Sequence, residues 1–93
     1  MSNQATVALP DLVTLPVASG VLQSMSKSLE SQTETTATVD AGALQTFDSS
    51  AVAVLLELRR ALAQNGRRLQ VVNLPPKLLE LVALYGVSEL LPA

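Results

Sequence analysis

The sequence predicts a small α/β domain with a mostly parallel sheet and helices packed mainly on one face. Three observations predict it. Short β-branched or apolar runs alternate with amphipathic segments in the order strand, helix, strand, helix, strand, helix. The connections are short, and strand–helix–strand crossovers of this length give parallel pairing with right-handed connections. The chain has 93 residues, too few for a second core, so residues 1–93 read as a single domain.

Residues 5–9 (ATVAL) form the first expected strand, stopped by Pro10. From Val17 to Glu30, the apolar residues Val21, Leu22, Met25 and Leu29 recur at helical spacing, with Pro16 near the start where it is tolerated. Residues 36–39 are short and β-branched and suit a strand buried in a parallel sheet, ended by Asp40, Ala41 and Gly42. Leu44 and Phe47 give apolar contacts in a connector leading to Asp48.

Residues 49–64 carry the strongest signal: Ala51, Val54, Leu55, Leu58 and Leu62 fall on one helical face. Asp48 is a natural N-cap, and Asn65-Gly66 supplies a left-handed stop. Residues 69–72 (LQVV) make a third buried strand. Pro75 and Pro76 open a last helix, with Leu78, Leu81, Val82 and Tyr85 on one face and Gly86 at its close. The tail from Val87 to Leu91 is apolar enough to fold back on the sheet.

Composition narrows the function classes. Hydrophobic residues make up 48% but aromatics only 2%, so the core is built from Leu, Val and Ala. A mean hydropathy of +0.37 on so small a chain implies apolar surface left for a partner. Net charge is −2, and the six basic residues make no stripe of the kind nucleic acids require. Arg59-Arg60 and Arg67-Arg68 read as solvated positions at a helix end and a strand start. There is no cysteine and no signal peptide is read at the start, and the longest apolar run, from Ala51 to Leu56, is far short of the roughly 18 residues a membrane span needs. A cytoplasmic domain without membrane insertion is expected.

With neither histidine nor cysteine, no Ser-His-Asp or Cys-His nucleophile and no usual zinc set can be assembled. The four glycines are scattered, so no phosphate-cradling loop exists. No enzyme activity, metal or cofactor is expected. The constellation that remains is Asp48-Ser49-Ser50-Ala51, where a connector enters the strongest helix. Asp and Ser there accept orphan N–H groups, which accounts for them as a cap alone. A hydroxyl at that point is also well placed to carry a phosphate or meet a partner, because the helix dipole favours negative charge and sites collect at the carboxyl ends of strands.

The run Thr38-Val39-Asp40, Leu44, Phe47-Asp48-Ser49-Ser50-Ala51, an amphipathic helix, Asn65-Gly66-Arg67-Arg68-Leu69 and a Pro-initiated last helix resembles the STAS family, the domain of anti-sigma-factor antagonists and sulfate-transporter tails. The resemblance is good over residues 36–91. It implies that Ser49, following the Asp of a D-[ST]-[SG]-G motif, matches the phosphorylated position of the antagonists; Ala51 stands where the family usually has Gly. The stretch from Leu78 to Val87, with Leu90-Leu91, is similar to the MlaB group, the cytoplasmic STAS subunits of the phospholipid ABC transporter that maintains outer-membrane asymmetry. That resemblance implies a transporter ATPase (MlaF-like) as partner, in a complex with an MlaE-like permease and an MlaD-like protein. The domain would then lie in the cytoplasm, held at the inner membrane through its partner. The alternative is an anti-sigma factor antagonist switched by phosphorylation of Ser49. Both use the same turn, with Asp48, Ser49, Ser50 and Ala51 as contact residues.

Overall fold

The structure, a computed structural model, describes residues 5–86. The elements run β1 (Ala5–Ala8), β2 (Leu12–Val13), α1 (Leu15–Glu30), β3 (Thr36–Asp40), β4 (Thr46–Phe47), α2 (Ser50–Gln64), β5 (Arg68–Val72) and α3 (Pro76–Leu84). The three expected strands pair in the order β1-β3-β5, all parallel. In register, Val7 lies beside Val39 and Val39 beside Val71. This valine row faces α1 and α2, and Val39 and Val71 are fully buried.

The next row, Thr6, Thr38 and Gln70, points the other way, with Thr6 and Gln70 exposed. Among the described residues the strands are therefore buried on one face, as expected of a sheet with its helices packed mainly on one side. The alternation in TATVD and RLQVV carries that pattern, since successive side chains leave a strand on opposite faces.

Two short strands escape periodicity altogether. Leu12 pairs with Thr46 and Val13 with Phe47 in a second, two-stranded parallel ladder. The expected connector around Leu44 and Phe47 is thus partly strand. Its main-chain bonds continue outward: the N–H groups of Gln45 and Thr46 donate to Asp11 O and that of Asp48 to Val13 O. A strand of two residues has no period to detect, and its partner lies more than thirty residues away in sequence.

Helix α2 packs as its spacing predicts, with Ala51, Val54, Leu55, Leu58 and Leu62 all buried. In α1, Met25 and Leu29 are buried and Val21 and Leu22 partly so, and the helix begins at Leu15, two residues before the expected start. In α3, Leu78 and Val82 enter the core and Leu81 is half-buried, whereas Tyr85 lies beyond the last turn and is exposed. The core contains no fully buried aromatic, in line with the composition. Gly86 closes α3 with φ at 69°. The tail from Val87 to Leu91, expected to fold back, lies outside the described residues.

One correction concerns Arg67. Its guanidinium is not solvated: Nε donates to Glu34 O at 2.7 Å and Nη1 to Leu29 O at 2.8 Å. It fastens the end of α1 to the start of β5, and a cation suits the negative end of a helix. Arg67→Met, which keeps the apolar stem, is expected to lose about 1.5–3 kcal/mol of stability in urea denaturation.

Candidate functional site

The four residues singled out in the sequence lie together at the start of α2, and each has a different environment. Ser49 occupies the position preceding the helix but already has helical dihedrals, φ −62° and ψ −16°, and makes no side-chain capping bond. The capping side chain is Asp48. Its Oδ1 accepts the N–H of Ser50 at 2.8 Å, the bond an N-cap carboxylate makes to the second helical residue. The cap expected at Asp48 is present, and the helix boundary shifts by a single residue.

Asp48 does more than the sequence indicates. Its other oxygen, Oδ2, accepts the N–H of Leu15 at 3.1 Å, an otherwise orphaned donor in the first turn of α1. One carboxylate therefore caps two helices whose positive ends converge on it. Thr14, at the N-cap position of α1, makes no side-chain bond of its own. The β2–β4 ladder brings the two helix starts together, which is why this role could not be found by reading along the chain.

The two serines divide the work. Ser50 is buried, at 8% exposure, and its hydroxyl donates to Asp48 Oδ1. Ser49 is exposed, with its hydroxyl uncommitted to the cap. Ala51 is 1% exposed and its methyl group points into the core, so the side chain that distinguishes it from glycine fills space within the domain rather than covering the turn. Of the four residues, Asp48 and Ser49 present themselves to solvent; Ser50 and Ala51 hold them in place.

The hydroxyl of Ser50, its N–H and the N–H of Leu15, in that order, hold the Asp48 carboxyl below the usual carboxylate range. Asp40, at the end of β3, is lowered in the same direction by the N–H of Gly42 at 2.8 Å and the amide of Asn73 at 3.1 Å. A carboxyl depressed in the folded state contributes stability that is complete above its ordinary pKa of 3.8 and is lost as pH falls through the folded value. Melting temperature should thus fall below that ordinary value. In Asp48→Asn the fall should be shallower, so that mutant and wild type converge at the acid limit. Parallel curves for the two proteins would remove the carboxylate from this role.

The rim of the turn is apolar. Leu15 is 74% exposed and Leu12 40% exposed. Leu15 adjoins the turn through its N–H bond to Asp48, and Leu12 lies three residues before the start of α1, on β2. The sequence reading missed both, although Leu15-Pro16 at a helix start carries the signal. Among the described residues, no three acidic, histidine or cysteine side chains group as a metal site, and no helix is long and apolar enough to cross a membrane.

The family model described as the MlaB STAS domain matches residues 2–92, and the chain belongs to that family. Among solved structures, the chain is similar to the anti-sigma factor antagonist SpoIIAA in its unphosphorylated form. The TM-score is 0.74 at 17% identity, over 98% of this chain and 80% of that one, which establishes a shared fold. No curated protein matches the sequence.

Proposed function

We propose that the chain is a non-catalytic STAS subunit that binds, stabilises and regulates the ATPase (MlaF-like) of a bacterial phospholipid ABC transporter maintaining outer-membrane lipid asymmetry. The ATPase hydrolyses ATP; this domain docks on it from the cytoplasm, in an assembly with an MlaE-like permease and an MlaD-like protein, and reaches the inner membrane only through its partner. The observation that carries this reading is the match to the MlaB STAS family over residues 2–92. The exposed Asp48-Ser49 turn with its leucine rim is the surface we assign to the contact.

A second reading is favoured by one specific observation. The fold is that of an anti-sigma factor antagonist, and Ser49 offers an exposed hydroxyl at a helix N-terminus, where a phosphate would be favoured by the dipole. In that reading, phosphorylation of Ser49 switches binding to an anti-sigma kinase.

Affinity purification of the tagged chain from its own cells distinguishes the two. The transporter ATPase and its permease should co-purify, and the isolated chain should neither bind nor hydrolyse ATP. Recovery of an anti-sigma kinase with no transporter subunit would replace the first reading by the second.

A further inference from the structure

Asparagine followed by glycine is the dipeptide most prone to deamidation, because glycine puts no side chain in the way when its own amide nitrogen attacks the preceding carboxamide. Asn65-Gly66 is the one such pair in this chain. Both residues are exposed, so water reaches them.

The fold nevertheless holds the pair in an unreactive form. Helix α2 closes in a Schellman motif, with Gly66 at φ 72°. The N–H of Arg67 donates to Leu62 O at 2.9 Å and that of Gly66 to Ala63 O at 3.0 Å. The attacking atom is the nitrogen of Gly66, and its proton is committed to Ala63 O. The carboxamide is occupied as well, its Nδ2 donating to Ala61 O at 3.4 Å. Asn65 has ψ at 15°. Ring closure requires the peptide of Gly66 to rotate until its nitrogen faces Cγ, and that rotation breaks both bonds of the motif.

We propose that Asn65 is a protected deamidation site whose conversion is gated by opening of the α2 C-terminal cap. When the cap opens, the Gly66 nitrogen loses its proton to solvent and bonds to Cγ of Asn65. The Cγ–Nδ2 bond breaks, and ammonia leaves with a proton taken from water. The succinimide then adds one water at either carbonyl and opens to aspartate or isoaspartate. One water is consumed and one ammonia released, with no oxidation.

The product does not restore the cap. A new carboxylate sits at the negative end of α2, where the dipole disfavours it. Isoaspartate also inserts a methylene into the main chain two residues before Arg67, whose guanidinium fastens Glu34 and Leu29. Conversion therefore loosens the joint between the end of α1 and the start of β5, and it does so irreversibly.

The test follows the tryptic peptide 61–67 in the full chain held at physiological pH and temperature, with its asparagine, aspartate and isoaspartate forms separated chromatographically and identified by mass. Conversion in the native chain should be about tenfold or more slower than in the chain unfolded in urea, since a protected helix end is open only a small fraction of the time. Leu62→Ala, which removes the side chain beneath the motif, should convert at an intermediate rate while circular dichroism shows it folded. Should that variant fail to fold, sub-denaturing urea on the wild type replaces it, and the rate should rise before the global transition. Asn73, followed by Leu74, serves as the internal reference and should remain unconverted. Equal rates in the native and unfolded chains would overturn the gating; absence of conversion in the unfolded chain would overturn the site.

Discussion

Leu55→Ala is expected to remove most or all of the stability of the domain. Leu55 is fully buried at the centre of α2, against the sheet and among Val39, Leu58 and Val71 in the same core. Truncating such a leucine costs about 2–5 kcal/mol, through lost transfer energy and the cavity left behind. A domain of this size has only about 5–15 kcal/mol in total. No aromatic lies fully within the core, and Phe47 packs against it only partly buried, so the cavity should persist and the cost should fall in the upper part of that range. Urea denaturation would show a lower midpoint at an unchanged slope. Leu84→Ala, at a position 76% exposed, provides the contrast and should change stability by no more than about 0.5 kcal/mol. A comparable loss in both variants would mean that the core is not where the fold places it.

Ser49→Glu is expected to separate folding from binding. Ser49 makes no capping bond and lies exposed at the positive end of α2, where a carboxylate is tolerated or favoured by the dipole. The isolated domain should stay as stable as wild type. At an interface the same carboxylate is stripped of water with no cation to meet it, and an unpaired buried charge costs about 3–5 kcal/mol. That corresponds to a loss of affinity of roughly two to three powers of ten or more. Ser49→Ala removes a hydroxyl that caps nothing, so it should leave stability unchanged and binding nearly so. In the antagonist reading Ser49→Glu mimics the phosphorylated chain and should lose binding to the anti-sigma kinase instead. Identity of the bound partner therefore matters as much as the loss itself.

The helices and the main sheet were legible because their signals are local and periodic. The five apolar residues of α2 recur at helical spacing and all five are buried, and Gly66 stops the helix in the left-handed conformation expected of it. The candidate turn was legible for the same reason: Asp and Ser at a helix start announce a cap. What stayed hidden was nonlocal. The β2–β4 ladder consists of two residues on each side, too short for periodicity to register. Without it, nothing in the sequence says that Asp48 also caps α1 through Leu15, 33 residues away.

Arg67 was misread for a related cause. A charged pair after Asn-Gly looks solvated along the chain, yet Arg68 alone is exposed, while the Arg67 guanidinium reaches back to carbonyls 33 and 38 residues earlier. The division between Ser49 and Ser50 is likewise a matter of orientation. Adjacent serines look equivalent in sequence, and only the turn decides which hydroxyl faces Asp48 and which faces solvent.

The most direct measurement of the proposed role is a calorimetric titration of the purified transporter ATPase with the wild-type chain, Ser49→Ala and Ser49→Glu, each first shown to be folded by circular dichroism. Saturable binding of the wild type and Ser49→Ala with similar affinity, and no detectable binding of Ser49→Glu, is the predicted result. Equal binding by all three would place the interface away from the Asp48–Ala51 turn, and no binding by the wild type would contradict the assignment of the ATPase as partner.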